Sequence, residues 1–263
     1  MKLEGRTALI TGATGGLGHA IARGLAARGM SVVLTGRRTD ALEPLARELK
    51  ARCLPADLAD RAAVEQLIEK TCDVDVLIAN AALPATGKIT EFSVAQIDHA
   101  LDVNLRAPIL LARALASRMA ARGSGQLVFI SSLSGKVASP RTSLYSATKF
   151  GMRGFAQCLR QDLHGSGVGV SVIFPGFIRD AGMFADSGVK LPPGIGTRSP
   201  DDVASAVVRA IEHDEIELDV APFGLRLSAL IGGLSPRFSQ TLQRWVGAEK
   251  IAEAVSQGQR GKA

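Results

Sequence analysis

Only three cysteines, Cys53, Cys72 and Cys158, occur in the 263 residues. Their spacing matches no metal site, and an odd number leaves one unpaired in any disulfide scheme, so a reducing cytoplasm is the expected home. No stretch approaches the ~18 uninterrupted apolar residues of a membrane span. The first residues run straight into a strand-like segment without a signal-peptide pattern. Despite a net charge of +6, no basic run exceeds Arg37-Arg38. A nucleic-acid stripe is therefore not expected, and the excess charge suits an anionic cofactor equally well. Tyrosine occurs once, at position 145. Any reaction that needs a phenol has one candidate.

Apolar residues make up 46% of the chain and charged residues 21%, a globular balance with enough length to bury a sizeable core. Short apolar runs alternate with helical patterns. Strands are expected at 7–10, 31–35, 52–56, 74–79, 126–130, 168–174 and 216–220. This alternation predicts an α/β fold, a doubly wound (Rossmann) parallel sheet of about seven strands with helices on both faces. Residues 1–221 form one dinucleotide-binding and catalytic domain on this reading. Residues 222–263 form a helical extension packed on it, frayed from about Ser256.

The apolar run Leu127-Val128-Phe129-Ile130 ends in Ser131-Ser132, and a loop rich in Gly, Ser and Pro leads to a helix carrying Tyr145 and Lys149. The strand delivers Ser132 to its carboxyl end, and the i, i+4 spacing stacks Tyr145 and Lys149 on one helix face. A phenol ionises near pH ~10, so it works as an acid or base at neutral pH only when a nearby cation stabilises the phenolate. Lys149 is placed to supply that cation.

Upstream, Thr7-Ala8-Leu9-Ile10 is followed by Thr11-Gly12-Ala13-Thr14-Gly15-Gly16-Leu17-Gly18 and a helical pattern. Strand, glycine-rich turn and helix in that order make a phosphate cradle, with Gly12, Thr14, Gly16, Leu17 and Gly18 as contacts. The second strand ends at Gly36-Arg37-Arg38, where such a fold holds the adenosine ribose. Arginines there favour a 2′-phosphate, hence NADP(H) over NAD(H). Asp57, followed by Leu58, caps the next turn or contacts the adenine. Asn80-Ala81-Ala82 ends the fourth strand with small residues that let a cofactor lie close. Asn104, between two helical stretches, either bonds backbone at a kink or joins a polar relay.

Taken together, Thr11-Gly-x-x-x-Gly16-x-Gly18, Asp57, Asn80-Ala81-Ala82, Asn104, Ser132, Tyr145-x-x-x-Lys149 and Pro175-Gly176 resemble the short-chain dehydrogenase/reductase family over residues 4–221. The resemblance implies Tyr145 as proton donor or acceptor and Ser132 as holder of the substrate oxygen. It also implies Lys149 as the group that lowers the tyrosine pKa and binds the nicotinamide ribose, and Asn104 as the residue that orders a relay water. Pro175, Gly176 and Ile178 would face the nicotinamide. The implied activity is NADP(H)-dependent interconversion of a carbonyl and a secondary alcohol. The alternative is a dinucleotide-binding sensor or scaffold without turnover.

Two departures stand out: Ala82 replaces the family's usual glycine, and Asp180 stands where a threonine commonly approaches the nicotinamide amide. Residues 177–198, with Pro192-Pro193, are irregular enough to form a lid. Apolar members such as Phe177, Met183 and Phe184 suggest an apolar substrate. The small-residue helix at 105–121 and the helix at 145–164 suit a subunit contact, so a homodimer or homotetramer is expected. Leu225-Arg226-Leu227-Ser228-Ala229-Leu230-Ile231 is open to covering the pocket, a partner subunit or a membrane surface, in that order.

Overall fold

The computed structural model describes residues 1–191, 195–245 and 248–259. Seven strands form one parallel sheet in the order β3-β2-β1-β4-β5-β6-β7. They are β1 (Thr7–Ile10), β2 (Ser31–Leu34), β3 (Arg52–Cys53), β4 (Val76–Ala79), β5 (Gly125–Ile130), β6 (Val168–Pro175) and β7 (Glu217–Val220). The sequence expectation of seven parallel strands holds, although β3 shortens to two residues at the sheet edge. Leu54 N and Ala56 N still donate to Leu34 O and Gly36 O, and the N–H that Pro55 lacks falls on the side away from β2.

Strand side chains alternate between two cores, because both faces of a parallel sheet are covered. Ile10, Ile78, Val128 and Ile173 point to one side. There they meet α1 (Gly16–Ala26), α2 (Thr39–Leu49) and α7 (Pro200–His213). Leu9, Leu77, Leu127, Phe129 and Phe174 point to the other. That side is covered by α3 (Arg61–Glu69), α5 (Ala107–Arg122) and α6 (Ser143–Asp162). The strand order reverses between β1 and β4, so a crevice opens at the carboxyl end of the sheet. Every strand-end motif named above lies there.

Helix α4 (Val94–Leu101) starts at a Ser93–Gln96 capping box, and α7 starts at a Ser199–Asp202 box with Pro200 in its first turn. These side chains satisfy first-turn N–H groups that the helix itself leaves open. Between α4 and α5 the chain makes a π turn over Asp102–Arg106.

Residues beyond β7 form α8 (Phe223–Leu234), α9 (Pro236–Trp245) and α10 (Ala248–Gln259). The fraying expected from Ser256 is not seen among the described residues. Ser256 Oγ donates to Thr86 O at 3.0 Å and Gln259 Nε2 to Met183 O at 2.9 Å, with both residues buried. These partly buried hydrogen bonds tie the last turns of α10 to two loops, and a leaving tail would break them. Residues 260–263 and Pro192-Pro193 lie outside the described residues. Among the described residues no helix is long and apolar enough to cross a membrane.

Candidate active site

Ser132 follows β5 and caps the short turn Leu133–Gly135, its Oγ accepting from Ser134 N at 3.1 Å. Gly135 makes this seat possible. A Cβ there would lie 2.6 Å from Ser131 Oγ and 2.8 Å from Lys149 O, so only glycine lets the turn press against α6. Ser131 Oγ also donates to Lys149 O, at 3.2 Å. The turn thereby places the Ser132 side chain near enough to the Tyr145 phenol to favour its ionised form.

Tyr145 and Lys149 stand one turn apart on α6. Lys149 is 1% exposed, and its Nζ donates to Ile130 O at 2.9 Å and lies 5.6 Å from the centroid of the Tyr145 ring. Burial pushes the phenol up to about 12, with the hydrogen bond to Ser132 pulling the other way. Burial also pushes the ammonium down to about 8. The expected lowering of the phenol by Lys149 is therefore not what the protein groups alone produce. The ammonium is engaged by a backbone carbonyl, and desolvation penalises the charged form of both side chains.

Asn80 donates Nδ2 to Thr11 O at 2.9 Å and to Gly12 O at 3.2 Å. Thr11 Oγ1 accepts from the backbone N–H groups of Asn80 and Ala81, each at 3.0 Å. The ends of β1 and β4 are thus locked together beneath the glycine-rich turn. Gly12 has φ +64, and a Cβ there would sit 2.7 Å from Ala81 Cα, so the turn requires glycine twice over. Thr11 appears in the motif but its bridging role was not read from sequence.

The first turn of α1 has neither a side-chain cap nor an acidic residue. A Cβ built on Gly15 would meet only Gly12 O, at 3.5 Å. This uncapped, positive helix end, bare at Gly15, fits a dinucleotide phosphate. Thr14 lies against Gly36 at the end of β2. Arg37 and Arg38 are exposed there, with no ion pair to either among the described residues. Both guanidinium groups remain available to a phosphate.

Asp57 caps the turn, its Oδ1 accepting from Ala59 N at 3.0 Å. Leu58 is buried in the core, so only its backbone remains for a ligand. Asn104 sits in the π turn, fully buried. Its Oδ1 accepts from Leu83 N at 2.6 Å and its Nδ2 donates to Leu83 O at 3.0 Å. Of the two sequence readings, the one with backbone bonds at a kink describes the two hydrogen bonds this side chain makes.

Leu17, Asn80, Ser132, Tyr145, Lys149, Pro175, Gly176 and Ile178 converge on one cavity of about 770 Å³. Gly12, Thr14, Gly16, Gly18, Ala81, Arg37, Arg38 and Asp57 lie outside its lining. The opposite wall comprises Met183, Phe184 and residues of α8, α9 and α10 such as Leu225, Ile231, Ser239, Ile251 and Val255. No motif in the sequence marked α9 or α10 as part of a site.

Lid residues 177–191 are held at both ends. A Cβ on Gly16 would run into the Ala181 side chain, and one on Gly258 into the Ser187 backbone. Asp180 is exposed, has φ +67 and pairs with its neighbour Arg179 at 3.3 Å. Its carboxylate turns to solvent, and Ala181 takes the place over the glycine turn.

Comparison with known proteins agrees with this geometry. The short chain dehydrogenase family profile matches residues 6–190. The chain is 35% identical over 259 residues to the ketoacyl reductase HetN of Nostoc sp., covering 93% of this chain and 90% of that protein. It is 32% identical over 255 residues to a dehydrogenase/reductase SDR family protein 7-like of Anopheles gambiae, covering 89% and 80%. Among solved structures, a short-chain dehydrogenase from Sphingobium yanoikuyae in complex with NADPH superposes with a TM-score of 0.77 at 27% identity, over 91% of this chain and 95% of that one.

Proposed function

The chain belongs to the short-chain dehydrogenase/reductase family, and we propose that it interconverts a carbonyl and a secondary alcohol with NADP(H), using Tyr145 as the acid or base. The observation that carries this reading is the convergence of Ser132, Tyr145 and Lys149 on one cavity. Bound nicotinamide supplies or accepts the hydride. Ser132 Oγ donates a hydrogen bond to the substrate oxygen and orients it. Tyr145 passes its proton to that oxygen in reduction and recovers it in oxidation. Lys149 is the cation nearest the phenol and offsets the charge that develops there.

Gly12, Thr14, Gly16, Leu17 and Gly18 hold the pyrophosphate on this reading, with Arg37 and Arg38 on the 2′-phosphate and Asp57 and Leu58 beside the adenine. Asn80 and Ala81 support the floor, and Pro175, Gly176 and Ile178 face the nicotinamide. Lys149 is the only Lys, Arg, Asp or Glu in the described cavity lining. A carboxylate-bearing substrate would find no further cation there, so an uncharged, apolar ketone or alcohol fits best. The active form is a homodimer or homotetramer in the cytoplasm, joined through α5 and α6. Free Cys53, Cys72 and Cys158 suit a reducing compartment.

Titration with NADPH and NADH, followed by nicotinamide fluorescence, tests the cofactor assignment. NADPH binds more tightly, and Arg37→Ala weakens it by ~1–3 kcal/mol while leaving NADH nearly unchanged. Equal losses for both cofactors would refute the 2′-phosphate role.

A further inference from the structure

Nine large apolar side chains are exposed among the described residues, and five of them belong to α8: Phe223, Leu227, Leu230, Ile231 and Leu234. Phe223, Leu230 and Leu234 are 77%, 62% and 80% exposed. With Leu227 they fall at i, i+7, i+11 and i+4, which aligns them on one helix face. Dispersed apolar residues are ordinary on a surface; an aligned stripe marks a contact. Leu227 and Ile231 also line the cavity. The stripe and the cavity mouth are therefore continuous.

The charge within this segment has one sign. Between residues 220 and 248 the sequence has no aspartate or glutamate, while Arg226, Arg237 and Arg244 fall within it. Arg226 and Arg237 are exposed, and neither pairs with a carboxylate among the described residues. A two-fold contact between copies through α8 would set these arginines against like charge with no acidic side chain in the segment to relieve it. An anionic lipid surface offers both an apolar layer for the stripe and phosphates for the arginines.

We propose that α8 docks the protein on an anionic bilayer surface, with Phe223, Leu230 and Leu234 in the headgroup–acyl boundary and the cavity mouth against the lipid. The contact is peripheral and reversible, since one short helix face buries little area. It gives an apolar substrate a path from lipid to the cavity without crossing water. The substrate path rests on the oxidoreductase reading, whereas docking is measured without turnover.

The test is flotation of the purified full chain with vesicles of phosphatidylglycerol and phosphatidylcholine, beside vesicles of phosphatidylcholine alone. Flotation with the anionic vesicles that fades at high salt is expected. Leu230→Ser combined with Leu234→Ser should cut it at least about tenfold, as should Arg226→Glu with Arg237→Glu. Neither pair lines the cavity or packs in the core, and circular dichroism checks that both variants fold. No flotation, equal flotation with both lipids, or flotation unchanged in the variants overturns the proposal. Light scattering showing that Leu230→Ser with Leu234→Ser lowers the oligomeric state, while the parent ignores vesicles, assigns α8 to a second copy and likewise overturns it.

Discussion

Ser132, Tyr145 and Lys149 stand on a strand end and one face of a 20-residue helix, whereas the wall facing them is assembled from the 177–191 segment and three helices beyond the sheet. The first wall is fixed by bonds between elements adjacent in the sheet and its covering helix: the buried Lys149 to Ile130 and Ser131 to Lys149, and the half-buried Asn80 to the glycine turn. The second is held by contacts distant in sequence, such as Thr86 Oγ1 donating to Gln259 Oε1 at 2.6 Å. The first wall carries the reacting groups, and the second supplies most of the apolar lining.

The sharpest way to separate the walls is Tyr145→Phe. Only the ionisable oxygen is lost, so turnover should fall by about 10²–10⁴-fold with cofactor binding kept. Turnover within tenfold of the parent would remove Tyr145 from the chemistry. Gly258→Val attacks the other wall by driving a side chain into the Ser187 backbone. Overpacking of this kind typically costs ~1–3 kcal/mol, and here the lid should absorb it. Steady-state kinetics should show KM for an apolar ketone rising about tenfold, with kcat changed far less. An equal fall in kcat would mean the walls are coupled.

The smallest expected effect is on stability against pH. Lys149 has its folded pKa lowered from 10.5 to about 8. Between those values the unfolded chain binds more protons, so this group's contribution rises with pH there and is absent below about pH 8. Tyr145 has its folded pKa raised from 10.0 to about 12. Its contribution is full below pH 10 and is lost as pH rises to 12. Denaturant midpoints from pH 7.5 to 10 should therefore climb less in Lys149→Met than in the parent. Parallel curves would show that the ammonium is not desolvated as its burial implies.

Much of the rigid wall was legible because its signals are local. A strand run, a glycine turn and an i, i+4 pair are set by backbone geometry over a few residues, and the sheet order follows from the alternation of elements. The seat of Leu58 in the core, the choice between the two readings of Asn104 and the direction of the Tyr145 pKa shift were not legible. Each depends on which groups lie across the interior: the core that takes Leu58, the Leu83 backbone that occupies Asn104, and the Ile130 carbonyl that engages Lys149. Asp180 belongs with them, since its positive φ and outward turn arise from how the lid lies on Gly16.

The sequence by itself determined a doubly wound α/β sheet, a dinucleotide cradle and the pairing of one tyrosine with one lysine, because periodicity and spacing encode them residue by residue. Tertiary structure decided where the 177–191 segment lies, the joining of α8–α10 to the cavity and the direction of both pKa shifts. Those outcomes depend on desolvation and on contacts between residues far apart in the chain, and no local pattern carries them.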